Sequence, residues 1–149
     1  MMNNNKAKKL FSLLRVHQYV KNLFIFMPLF FMGMITDVEM LIRTSVAFVL
    51  FSLITSSVYI FNDYHDEQDD RNHPVKKFRP IASGDISGRL ALGIAAIMLA
   101  AGLIPGMFLD MDFVYLSLTY LALNAIYTLW LKRVAIIDVV LVSLFFVIR

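Results

Sequence analysis

The sequence predicts an all-helical protein embedded in a membrane, and three observations carry that prediction. Of the 149 residues, 59% are hydrophobic and 17% charged, with a mean hydropathy of +0.70, whereas soluble domains run at about 45–50% and about 25%. The apolar residues fall in uncharged runs that approach the length of about 20 residues a helix needs to cross a bilayer. The charges gather in short stretches between those runs. At this length roughly four or five crossings fit. With no cysteine there is no disulfide framework and no thiolate ligand or nucleophile, so a metal would be held by oxygen or imidazole. The net charge of +3 does not point to nucleic acid, because the positive residues alternate with apolar runs and form no extended basic face.

Each element follows in order. Residues 1–21 are basic (Lys6, Lys8, Lys9, Arg15, Lys21) with interspersed Leu and Phe; no signal-peptide core follows, and the spacing predicts an amphipathic cytoplasmic helix leading into the membrane. The run 22–36 carries no charge until Asp37 and is expected to span, kinked at Pro28. Residues 40–61 form a second span, in which Thr55, Ser56 and Ser57 are expected to serve helix packing and bond back to their own backbone. Residues 62–89 are the most polar part of the chain. A third span, 90–109, is rich in Ala and Gly, as close helix packing requires, and is expected to end at Pro105-Gly106. A fourth, 113–131, closes on Tyr127 and Trp130 beside Lys132 and Arg133, and a fifth, 134–148, stops at Arg149. Basic residues mark the N-terminus, the 62–89 loop and the Lys132-Arg133 turn, while the loops at Asp37 and Asp110 have none. The positive-inside rule therefore predicts an integral protein of the cell (inner) membrane with its N-terminus and polar loop cytoplasmic.

The chemistry lies in that loop. Asn62, Asp66 and Asp70 recur every four residues, so a helix continuing past the membrane boundary would carry all three on one face. Asp63 flanks them, and Asp69 is one turn from Asp66. Carboxylates converging at a helix end repel unless a cation sits between them, and oxygen ligands select a hard ion such as Mg²⁺, which shares its shell with substrate phosphates. Pro74 and Pro80 stop the helix, and around them Arg71, Lys76, Lys77 and Arg79 supply cations suited to phosphate oxygens. Metal-binding carboxylates beside phosphate-binding cations are what a departing diphosphate requires. Ser83-Gly84-Asp85 is expected to cap the third span. His73, next to Pro74, is expected to hydrogen-bond within the loop.

Residues Asn62 to Arg71, N-D-Y-H-D-E-Q-D-D-R, resemble the first aspartate-rich motif of the UbiA superfamily of membrane prenyltransferases. The continuation to Gly84, R-N-H-P-V-K-K-F-R-P-I-A-S-G, is similar to its decaprenyl-phosphate phosphoribosyltransferase branch. So are L-R-V-H-Q-Y-V-K-N at Leu14 to Asn22, with Val16 and Tyr19 replacing the usual Pro and Trp, and N-A-I-Y-T-L-W-L-K-R-V at Asn124 to Val134. The resemblance implies a bundle of about nine helices, of which roughly five would be present, around a cavity open to cytoplasm and lipid. It implies Mg²⁺ (or Mn²⁺) bound by Asn62, Asp63, Asp66 and Asp70, with Asp66 and Asp70 catalytic and Lys21, Arg71, Lys76, Arg79 and Lys132 contacting phosphate. Lys21 and Lys132 sit at helix ends, where snorkelling anchors look the same.

Asn124 and Tyr127, three apart, share a helix face with Tyr120; they either line a substrate cavity or pair with a neighbouring helix. Asp138 and Arg149 stand where the branch has an Asp and an Arg in its fifth helix, and ionisable groups at membrane depth are functional candidates. The superfamily's second aspartate motif is missing, so the chain is expected to be one membrane domain (residues 1–149), the N-terminal half of a longer protein or a remnant. The implied activity is Mg²⁺-dependent transfer of phosphoribosyl from 5-phosphoribosyl diphosphate to a polyprenyl phosphate. The alternatives are prenyl transfer from a prenyl diphosphate to an aromatic acceptor, and a non-catalytic truncated fragment.

Overall fold

The structure is a computed structural model describing residues 2–129, 140, 143–145 and 147–148, with side chains from residue 7 onward. It is all-helical among those residues. Six α-helices run in order: α1 (Met2–Leu14), α2 (Met27–Phe31), α3 (Val38–His65), α4 (Glu67–Asn72), α5 (Gly88–Leu109) and α6 (Met111–Leu129), with 3-10 segments at Val16–Phe26 and Lys76–Phe78. Two of them, α3 and α5, are long and apolar enough to cross a membrane. At about 1.5 Å per residue α3 extends about 42 Å, longer than the hydrocarbon core of about 30 Å, so its final turns carry Asn62 and Asp63 beyond what spanning needs.

The expected span at 22–36 is not a single helix. Arg15 turns the chain through a left-handed conformation (φ 52°, ψ 42°), and the following Val16–Phe26 lies along α3 as a 3-10 segment. Tyr19, Asn22 and Ile25 are three apart, and three residues per turn stack them in one row. Three residues of 3-10 advance about 6 Å, as do four of α-helix, so the row matches the turns of α3 in register. Tyr19 Oη shares a hydrogen bond with Ser56 Oγ (2.7 Å). Asn22 Nδ2 donates to Ser52 Oγ (3.0 Å) and Thr55 Oγ1 (3.2 Å). Ile25 packs against the cluster of Phe51, Val58, Tyr120 and Phe145. Helix α2 then has Pro28 in its first turn and ends at Phe31; just beyond it Gly33 (φ +68°) lets Met34 N reach Leu29 O.

Asp37 caps α3 by accepting from Glu39 N and Met40 N. Along α3, Ser57 Oγ donates to Ile54 O and Thr55 Oγ1 to Ser52 O, whereas Ser56 Oγ reaches across to Leu14 O. Helix α5 packs along α3 at a distance only glycine permits: a Cβ on Gly102 would lie 2.5 Å from Ile54 Cγ1 and 2.8 Å from Leu50 O. The α5 helix does not end at Pro105-Gly106 but continues to Leu109. The proline removes one backbone donor, and Asp110 N still closes on Gly106 O. Its cap is Ser87, which accepts from Leu90 N, and not Ser83-Gly84-Asp85. Leu13, Ile60, Ile81, Ala91 and Ala95 form a second core joining α1, α3 and α5. The expected fifth span falls largely outside the described residues.

Candidate functional site

The site forms where α3 runs out. Asp66 interrupts the helix (φ −92°, ψ 6°), ending α3 and starting α4, yet Asp66 N bonds Asn62 O and Asp70 N bonds Asp66 O. The four-residue spacing therefore survives the break, and Asn62, Asp66 and Asp70 stay along one strip, as their recurrence predicts. The chain returns through the Lys76–Phe78 turn, held by His73, whose Nδ1 accepts from Val75 N and Lys76 N. This return delivers Arg79 to the strip.

Arg79 Nη1 lies 2.6 Å from Asp70 Oδ2 and 3.1 Å from Asp63 Oδ1. The same Asp63 oxygen receives Arg15 Nη2 at 2.5 Å, and the Arg15 guanidinium also stands 5.1 Å over the Tyr59 ring, a cation–π contact. Asp63 and Asp70 are 3% and 2% exposed, so two carboxylates and two guanidinium groups form a neutral, mostly enclosed cluster. Taking any one member away would strand a charge, which costs about 3–5 kcal/mol for buried pairs. Asn62 Oδ1 accepts from Thr128 Oγ1 (2.6 Å), tying the strip to α6. Asn62 also joins Ser57, Phe61, Leu99, Leu121 and Asn124 in lining a largely apolar cavity of about 290 Å³ between α3, α5 and α6.

The other predicted residues divide. Arg71 is engaged by Glu67 one turn earlier (2.5 Å). Lys21 and Lys76 are exposed, and among the described residues neither side chain forms an ion pair. Asn124 lines the cavity, its Nδ2 donating to Tyr120 O within its own helix. Tyr127 instead packs edge-on against Phe145, 6.0 Å between ring centres, in the aromatic cluster; it does not share the cavity wall with Asn124. Lys132, Asp138 and Arg149 lie outside the described residues. Sequence reasoning gave Arg15 no role, although it opens the R-V-H-Q-Y-V-K-N stretch; its signal was a basic residue at the helix end nearest the acidic strip.

As a test of metal fit, no group of three or more carboxylates or histidines is placed to hold an ion among the described residues. Magnesium, however, needs only one or two carboxylates when substrate phosphates complete its shell. The Asn62–Asp66–Asp70 strip supplies carboxylate and amide oxygens of the right kind for a shared ion, although Asn62 Oδ1 is taken by Thr128 and Asp70 Oδ2 by Arg79. These oxygens do not fit an all-protein cage.

The structure is thus an all-helical bundle with long apolar helices, an enclosed carboxylate–guanidinium cluster at the end of α3 and an apolar cavity between α3, α5 and α6. Residues 23–149 match the UbiA prenyltransferase family, and the chain belongs to that family. It is similar to an uncharacterized protein of Sinorhizobium fredii, 39% identical over 146 residues, covering 98% of this chain and 28% of that protein. It is also similar to the decaprenyl-phosphate phosphoribosyltransferase of Mycolicibacterium smegmatis, at 34% over 149 residues (97% and 47%), and to the nodulation protein NoeC of Azorhizobium caulinodans, at 27% over 135 residues (91% and 44%). The chain spans less than half the length of these relatives.

Proposed function

We propose that the complete protein transfers a phosphoribosyl group from 5-phosphoribosyl diphosphate to a polyprenyl phosphate, releasing diphosphate, with Mg²⁺ as cofactor. The observation that carries this reading is Arg79 held between Asp63 and Asp70, with Asn62, next in sequence to Asp63, lining the apolar cavity. The likeness to decaprenyl-phosphate phosphoribosyltransferases supports the choice of donor. In the reaction an oxygen of the lipid phosphate attacks C1 of the ribose, a new C1–O bond forms, and the bond to diphosphate breaks with both electrons leaving on the diphosphate oxygen. Asn62, Asp66 and Asp70 would hold the ion, which when bound supplies positive charge to the leaving group. Arg79 stabilises the same developing charge through the fixed donors of its guanidinium. Lys76, exposed on the preceding turn, and Lys21 and Lys132 recruit the phosphates. The polyprenyl chain occupies the apolar cavity, with Asn124 on its wall. A cytoplasmic site is supported by the basic loops through the positive-inside rule.

A second reading rests on that same cavity, whose apolar lining also suits the chain of a prenyl diphosphate donating to an aromatic acceptor. The two separate in one experiment. Membranes containing the complete protein are given radiolabelled 5-phosphoribosyl diphosphate with polyprenyl phosphate, or radiolabelled prenyl diphosphate with a hydroxybenzoate. Labelled lipid from the first pair alone is expected; product from the second pair alone would replace the proposal.

A further inference from the structure

Asp63 stands apart from the other acidic residues of its motif. Its Oδ1 is already shared by two guanidinium groups arriving from different parts of the chain, Arg15 from the end of α1 and Arg79 from the loop before α5. A metal ion approaching that oxygen would have to displace both. Arg79 in turn pairs with Asp70 Oδ2, and Asp70, with this single guanidinium where Asp63 has two, lies on the strip with Asn62 and Asp66. Asp63 is thus joined to Asp70 through Arg79 and braced by Arg15, in the position of an anchor. The anchor also has a brake on its own freedom: Arg15 is held in a left-handed backbone conformation, which non-glycine residues adopt at a cost, and its guanidinium is sandwiched between Asp63 and the Tyr59 ring.

We propose that Asp63 is not a metal ligand but a positioning residue, which with Arg15 fixes the Arg79 guanidinium, and through it the Asp70 carboxylate, in the geometry that receives diphosphate. The proposal rests on the diphosphate-site reading above. It makes the R-V-H-Q-Y-V-K-N stretch part of the site by an electrostatic route, because Arg15, just past the end of α1, shares the Asp63 Oδ1 with Arg79.

The test uses the complete protein in lipid nanodiscs, with Mn²⁺ and inorganic diphosphate as separate probes. Asp63→Asn is expected to retain Mn²⁺ binding, weakened by about tenfold, as removal of an outer partner of a ligand does. The same variant is expected to bind diphosphate about tenfold more weakly or worse, the usual cost of losing an orienting outer partner. Asp66→Asn is expected to lose Mn²⁺ binding. Arg15→Gln should weaken diphosphate binding in the same direction, and Arg15→Lys should restore it; this pair carries the test if Asp63→Asn does not fold. A loss of Mn²⁺ affinity in Asp63→Asn matching that in Asp66→Asn would make Asp63 a ligand and overturn the proposal. Diphosphate binding at wild-type strength in both Asp63→Asn and Arg15→Gln, with only the melting temperature lowered, would overturn it by reducing the cluster to scaffolding. Failure of the wild-type protein to bind diphosphate at all would instead sink the diphosphate-site reading, and the positioning role with it.

Discussion

One helix, α3, carries two polar rows that behave differently. In its middle, Ser52, Thr55, Ser56 and Ser57 are buried, and each is satisfied by a neutral partner: its own backbone, Tyr19, Asn22 or the Leu14 carbonyl. At its end Asp63, joined by Asp70 on the following α4, is as buried but answers to charged partners: Arg15 reaches Asp63 from 48 residues away and Arg79 reaches Asp70 from 9. The neutral row closes on itself and fixes how the 3-10 segment lies on α3. The charged row is balanced between two carboxylates and two guanidinium groups. Hydrogen bonding of the first kind gives shape, and under the proposed function ion pairing of the second kind also holds the cations that receive diphosphate.

Substitutions at the two rows should break this contrast in a graded way. The largest effect is expected at Arg79→Ala, which leaves both Asp63 and Asp70 without their shared cation and should destabilise the protein by about 3–5 kcal/mol, read as a lower midpoint in thermal or denaturant unfolding in nanodiscs. Bound diphosphate should not rescue that variant, whereas it should stabilise the wild type. Next comes Asn22→Leu in the neutral row. It orphans the buried Ser52 and Thr55 hydroxyls only in part, since Thr55 also donates to its own helix, and an unmet buried group costs about 1–3 kcal/mol. Unfolding midpoints should fall while diphosphate affinity stays near the wild-type value.

Smaller still is Ser57→Ala. The Ser57 hydroxyl bonds Ile54 O within the same turn, so its loss should change stability by less than about 0.5 kcal/mol in the same unfolding measurement. The least effect is expected at the exposed Lys9–Asp85 pair (2.5 Å) that links α1 to the loop before α5. The hydrogen bond from Lys9, and then that from Ser83, hold the Asp85 carboxyl below its ordinary value. Its contribution is therefore fully present above the ordinary carboxylate range and disappears as pH falls through the lower folded value. The difference in midpoint between wild type and Lys9→Ala should be small at neutral pH and vanish in acid.

Much of the fold was legible because apolar runs and breakers act locally. The long uncharged stretches gave α3, α5 and α6, and the recurrence of Asn62, Asp66 and Asp70 gave the strip that survives the break at Asp66. What escaped depends on distant partners. The run after Asn22 reads as a span because nothing before Pro28 breaks a helix; its 3-10 form comes from matching Tyr19, Asn22 and Ile25 to the turns of α3. Arg15 in a left-handed conformation has no local signature, since Arg is not a turn residue. Asp63 reads as one more acidic residue of its motif, and only the approach of Arg15 across 48 positions separates it from its neighbours. Pro105 was expected to end α5, but a proline one turn from a helix end removes a single bond and can be carried.

The central claim is that the charged end of α3 is a diphosphate site. The most direct measurement is the rate of phosphoribosyl transfer to polyprenyl phosphate by the complete protein in bilayers, compared with that of Asp70→Asn. A loss of about a hundredfold or more, with the protein still folded by its unfolding midpoint, is the predicted result. A folded Asp70→Asn protein turning over at close to the wild-type rate would contradict it.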